Sequence, residues 1–187
     1  MSGMQHSEHL VEFFDADADL VRVVTHYLAQ GFDAGHTCIC VVTAEHREMI
    51  ENRLVAIGAN PGALAASYRY IPIDARATLD TLTQGGDRPD RERFHRIVGL
   101  LVSQAASRGA PVRIFGEMVA LLARRGLYQA VLELEELWNE LSRERDFMLL
   151  CGYPREAFTT EQLDTISAVH SRPLGSRGAT LPNAPAS

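Results

Sequence analysis

Nine side chains in this 187-residue sequence have the types and positions for binding chemistry: His9, Phe14, Glu45, His46, Arg113, Glu117, Cys151, Tyr153 and His170. Glu117 directly follows an apolar run and Gly116, where a carboxylate accepts a hydrogen bond from a ligand or from a neighbouring histidine. Its plainer role is to sit at the start of the next helix, where acids are favoured. His9, Glu117, Cys151 and His170, if the fold brings them together, form the mixed donor set that a transition metal or haem uses. No paired spacing of the C-x-x-C or H-x-x-x-H kind supports that, and a buried cysteine is more commonly a small apolar residue. Hydrogen bonding to the polar head of a small ligand is the preferred reading, and no cofactor is assigned.

Glu45 and His46 end a second apolar run, in a position suited to binding or simply to a helix start. Arg113 and Arg47 suit an anionic ligand, though surface ion pairing is their commoner fate. Phe13, Phe14, Phe115, Tyr153 and Trp138 suit the walls of an apolar pocket. Aromatics at such places are also ordinary core, and Trp138 lies in a helical stripe. Tyr153-Pro154 reads as a turn. A nucleophilic enzyme finds little support, since no G-x-S-x-G is present and a Cys151–histidine pair depends on the fold.

Those residues need a scaffold, and the composition narrows it. With 46% apolar and 22% charged residues the chain is of ordinary globular type. Its formal charge of −6 argues against a broad nucleic-acid surface. All 18 basic residues are arginine, which excludes a lysine Schiff base and the lysine of a phosphate-binding loop. Three cysteines suit reduced thiols in the cytoplasm. No apolar run reaches membrane-spanning length, so neither a membrane nor nucleic acid is expected as a direct partner.

Short apolar runs alternate with helical periodicity. Strands are expected at His9–Phe14, Thr37–Thr43, Ser67–Ile73, Pro111–Phe115 and Phe147–Cys151. The helices between them carry stripes such as Val131, Leu134, Trp138 and Leu141. Glu133, Glu135, Glu136 and Glu140 read as the solvated side of that helix, or an acidic docking face. The pattern is a single three-layer α/β domain over 1–171 with a mainly parallel sheet of about five strands. Residues 172–187, rich in Pro, Gly, Ala and Ser, read as a disordered tail. In such sheets ligands sit at the carboxyl ends of the strands.

The order and spacing resemble the RecA/KaiC type of ATPase core. Laid on that pattern, the phosphate loop falls on Phe14–Val21 (FDADADLV). Phe14 and Asp19 stand at its glycine positions, Leu20 at its lysine and Val21 at its Ser/Thr, so G-x-x-x-x-G-K-[ST] is absent. Asp15, Asp17 and Asp19 would meet phosphate with like charge. At about 4 Å and an effective dielectric near 20 each such pair costs about 4 kcal/mol.

An ordered set of residues carries a closer resemblance: His9 with Phe13-Phe14 (HLVEFF), Gly35 with Thr43–Arg47 (TAEHR), Arg113–Met118 (RIFGEM), Leu134-Glu135 with Leu137–Asn139, Leu150–Pro154 (LCGYP), and His170-Ser171. Together these resemble the MEDS family, the methanogen/methylotroph dichloromethane-regulator sensory domain. The resemblance implies a non-catalytic sensory domain on a degenerate RecA-like core, binding a small organic compound. It also implies a place in transcriptional or signal-transduction control. With no output module in these 187 residues, the expected partner is a regulatory protein or a second copy of the chain. The alternatives are a metal, haem or redox sensor built on the His/Cys/Glu cluster, and a residual nucleotide-binding enzyme.

Overall fold

The computed structural model describes residues 8–170 and 172–173. Its strands are β1 (Glu8–Phe14), β2 (Thr37–Val42), β3 (Tyr70–Asp74), β4 (Val112–Gly116), β5 (Met148–Pro154) and β6 (Arg172–Pro173). All pair in parallel, in the order β3-β2-β4-β5-β1-β6. The helices are α1 (Asp17–Asp33), α2 (Ala44–Ala56), α3 (Pro61–Ala66), α4 (Ala75–Thr83), α5 (Arg91–Phe94), α6 (Leu100–Ala106), α7 (Met118–Arg124), α8 (Tyr128–Glu144) and α9 (Thr160–Val169). A π turn, His95–Gly99, joins α5 to α6.

The sheet is covered on both faces, so its central strands read as continuous apolar runs. Every residue of β2 is buried. One core gathers Phe14, Leu20, Val24, Leu28, Cys38, Cys40, Phe115 and Leu150 beneath α1 and α2. The other gathers Ile39, Ile114, Trp138, Leu149, Cys151 and Tyr153 beneath α4, α7 and α8. Trp138 lies in that core, edge-on to Phe94 with ring centroids 5.1 Å apart.

The three-layer α/β reading holds, with differences of detail. After Gly58 the chain enters α3, because Asn60 accepts the Ala63 N–H at 3.0 Å and Pro61 opens the helix. The third strand consequently starts at Tyr70, three residues later than expected. β5 continues through Gly152, Tyr153 and Pro154, which pair with Glu12, Phe13 and Phe14; the Tyr153-Pro154 turn is therefore strand. Arg172 and Pro173, read as the start of the tail, form β6 against Leu10 and Val11. The rest of that tail, 174–187, lies outside the described residues, as does Ser171.

Candidate functional site

The carboxyl ends of the strands come first, because parallel sheets bind there. β1 ends at Phe14, and α1 begins at Asp17 after only two residues. Ala16 is the N-cap and no side chain caps the helix; Asp17 and Asp19 lie in its first turn. Phe14 and Leu20 are buried in the core. A Cβ placed on Gly152 would come within 2.9 Å of Leu20 Cδ1, so the glycine lets the α1 leucine press against β5. Where a phosphate loop would open, the chain is closed by aromatic and aliphatic packing and edged with carboxylates.

Beside this turn lies a buried carboxylate–imidazole pair. Glu117, at the end of β4, is fully buried. It accepts the Thr43 backbone N–H and hydroxyl, each at 3.2 Å, and His46 Nδ1 at 2.9 Å. The other ring nitrogen, Nε2, lies 3.3 Å from Asp17 Oδ1 on α1. Arg124 reaches the same Asp17 oxygen at 3.4 Å. The Glu117 hydrogen bond raises the His46 pKa above its ordinary value; partial burial opposes this, and the Glu117 and Asp17 charges reinforce it. Glu117 holds the N-cap position of α7 without capping it. Its oxygens are turned to β2 and α2 instead.

Next to this chain of contacts is an open cleft of about 500 Å³ between α4 and α7, lined by Arg76, Leu79, Asp80, Leu121, Arg124 and Arg125 among others. Its three arginines pair with exposed acids: Arg76 with Glu45 at 3.4 Å, Arg124 with Asp17, and Arg125 with Asp87 at 2.8 Å. Exposed pairs of this kind are worth about 0–1 kcal/mol and exchange readily.

A second polar cluster lies on the α8 face of the sheet, away from the strand ends. His9 of β1, Cys151 of β5, Glu135 of α8 and His170 after α9 are all buried. One donor atom from each lies within 4.8 Å of the others. Tyr153 donates its hydroxyl to Glu135 Oε1. Burial would raise the Glu135 carboxyl pKa, but the facing His170 and His9 rings outweigh it and hold the group well below the usual carboxylate range. Burial also opposes charge on His9, yet Glu135 and Asn139 leave its pKa raised. Burial and the Glu135 charge keep the Cys151 thiol and Tyr153 phenol protonated far above their ordinary ranges.

The nine expected residues therefore separate. His9, Cys151, Tyr153 and His170 meet in the second cluster, while Glu117 lies with His46 at the strand ends, so the expected four-residue set does not form with Glu117. Glu45 is exposed and pairs with Arg76. Phe14 is core. Arg113 sits near the amino end of β4, donates to the Tyr27 carbonyl at 2.8 Å and covers the Tyr27 ring at 4.6 Å; it is at the wrong end of the sheet for a strand-end ligand. The acidic docking face also changes. Glu135 is buried, and Glu133 and Glu140 pair with Arg88 and Arg91. Glu135 and Asn139 were not among the sequence candidates. Glu135 lies four residues after Val131 and three before Trp138, both buried, and that spacing was the available signal.

Among solved structures, a KaiC-like protein from the hyperthermophilic archaeon Pyrococcus horikoshii OT3 matches with a TM-score of 0.55 at 12% identity, over 87% of this chain and 68% of that one. The flagellar accessory protein FlaH from Methanocaldococcus jannaschii matches with a TM-score of 0.52 at 9% identity, over 89% and 72%. At such identity these likenesses show the RecA-like fold alone. No curated protein matches the chain. The family model described as methanogen/methylotroph, DcmR sensory domain matches residues 8–171. This chain, a RecA-like α/β domain with a closed β1–α1 turn, belongs to the MEDS family of sensory domains.

Proposed function

We propose that this sensory domain is a non-catalytic receptor for a small organic anion, held in the cleft between α4 and α7 at the carboxyl edge of the sheet. The observation that carries this reading is the convergence of Arg76, Arg124 and Arg125 with Leu79 and Leu121 on one open cavity. Its volume, about 500 Å³, is in the range for small-molecule sites, and its lining offers cations for a carboxylate and aliphatic walls for a short apolar body. The ligand competes with weak surface ion pairs, so displacing them costs little.

The same cleft connects to the buried network. Arg124 and His46 share Asp17, and His46 is held by Glu117. An anion that draws Arg124 away from Asp17 changes the charge facing His46 and thereby the contact between α1 and α2. A ligand shifts such an equilibrium only by its difference in affinity for the two arrangements. Output to a regulatory protein or a second copy of the chain is the remaining part of the proposal. The two-residue β1–α1 turn, with Leu20 and Val21 buried behind it, supports a receptor over a nucleotide hydrolase.

Thermal-shift and calorimetric titration with short-chain aliphatic carboxylates tests this. A saturable signal should appear for at least one carboxylate and weaken roughly tenfold or more in Arg124→Gln/Arg125→Gln, about 1.4 kcal/mol or more. Binding unaffected by that double substitution, or equal binding of the uncharged amides, contradicts the reading.

A further inference from the structure

With both imidazoles neutral, the second cluster has too few protons for its acceptors. His170 Nδ1 lies 2.6 Å from the Ile166 carbonyl. A carbonyl only accepts, so that nitrogen carries the hydrogen and the neutral ring turns a lone pair on Nε2 inward. His9 is oriented alike: Nδ1 faces Asn139 Oδ1 at 2.9 Å and Nε2 faces the centre. Tyr153 satisfies Glu135 Oε1, which leaves Oε2 toward both imidazoles. Oε2 lies 3.1 Å from His9 Nε2 and 3.2 Å from His170 Nε2. Yet Glu135 Oε2 and His170 Nε2, both buried, have no hydrogen-bond partner of acceptable geometry. These two atoms are close without being hydrogen-bonded to one another, in a group of four donor atoms that all lie within 4.8 Å of each other.

We infer that His9, Glu135, Cys151 and His170 form a binding site for a divalent transition metal ion of the zinc class. Three of the donor–donor contacts, 3.1, 3.2 and 3.4 Å, come close to the edges of a coordination tetrahedron, and all four donors lie within 4.8 Å of one another. Bonds of about 2.0–2.3 Å to N, O and S put neighbouring donors about 3.3–3.7 Å apart. Here Cys151 Sγ lies 3.4 Å from His9 Nε2, beside the two carboxylate–imidazole distances. The outer contacts fit as well: ligating histidines hand their other N–H to a carbonyl, as His170 does to Ile166 and His9 to Asn139. Charge closes too. The ion displaces the Cys151 thiol proton to solvent, and Zn²⁺ with one thiolate and one carboxylate is a neutral buried unit. Four protein donors, all buried, make a closed site. Such a site ties the end of α9, and β6 immediately after it, to β1, β5 and α8. It lies on the opposite sheet face from α1 and α2 and does not depend on the cleft reading.

The test uses the full chain, stripped with a chelator, checked for fold by circular dichroism, then titrated with Zn²⁺ and Co²⁺. One ion should bind per chain, and the cobalt form should show a thiolate charge-transfer band. Cys151→Ser should remove that band, and Asn139→Ala, which leaves all four donors, should weaken zinc roughly tenfold or more. Should Cys151→Ser fail to fold, the wild-type band still decides: Cys38 and Cys40 lie in the other core, and Cys38→Ser/Cys40→Ser should retain it. A folded wild-type chain that takes up no stoichiometric ion, a cobalt spectrum without a thiolate band, or zinc affinity unchanged in Asn139→Ala overturns the assignment.

Discussion

Two buried carboxylates, Glu117 and Glu135, lie on opposite faces of one sheet and are satisfied in opposite ways. Glu117 receives three neutral or ionic donors from Thr43 and His46, and nothing about it calls for another group. Glu135 receives one hydroxyl on one oxygen, and presents the other to two imidazoles whose Nδ1 hydrogens are used elsewhere. A buried charge is tolerable only with partners. The first cluster finds them within the protein and works as a joint between β2, β4 and α1. The second, on the inference above, would be completed by a cation. Burial alone does not distinguish a structural joint from a binding site; counting donors against acceptors does.

The largest expected effect separates the two directly. Glu117→Ala strands the Thr43 N–H and the His46 ring and should cost about 3–5 kcal/mol in urea unfolding, equally with and without chelator. Zinc at about a hundred times its dissociation constant should stabilise the wild type by about 2.7 kcal/mol. Chelation should abolish that gain, and Glu117→Ala should keep it. An equal response of both clusters to chelator would erase the distinction.

Smaller effects arise from titration. The folded pKa of His46 is raised, so its contribution is full below the unfolded value near 6.5 and is lost as pH rises through the folded value. Urea midpoints of His46→Gln and wild type should therefore differ more at pH 6 than at pH 9. Glu12, half-buried on β1, has its pKa raised from 4.5 to about 7, chiefly by burial and against the pull of Arg22 and Arg155. A raised carboxyl binds more protons in the folded state, so its contribution falls as pH climbs from about 4.5 to about 7. Glu12→Gln should gain about 1 kcal/mol over wild type at pH 8, after allowance for solvent screening, and nothing near pH 4.

The sequence made the layers legible because the physics there is local. Thr37–Val42 is apolar throughout, as a strand covered on both faces must be, and Asp17 and Asp19 mark the start of α1. The expected fifth strand stops at Cys151, short of the observed Pro154, because Gly-Tyr-Pro has turn character in isolation. Packing reverses this, since Leu20 and Phe115 fill the space beside Gly152 and Pro154 needs no N–H at the strand end. His9, Cys151 and His170 were recognised as potential donors, but their fourth partner depends on which side of α8 faces inward. Grouping Glu135 with its acidic neighbours hides it, although its spacing from the buried Val131 and Trp138 carries the signal. Arg113 has the right chemistry for an anion and stands at the wrong end of its strand, which composition cannot show.

The proposed receptor role requires a RecA-like scaffold whose β1–α1 turn is packed shut, with recognition in the neighbouring cleft. Isothermal titration of the full chain with magnesium ATP tests that most directly. The account predicts no saturable heat into the millimolar range. A one-to-one isotherm in the micromolar range would contradict it.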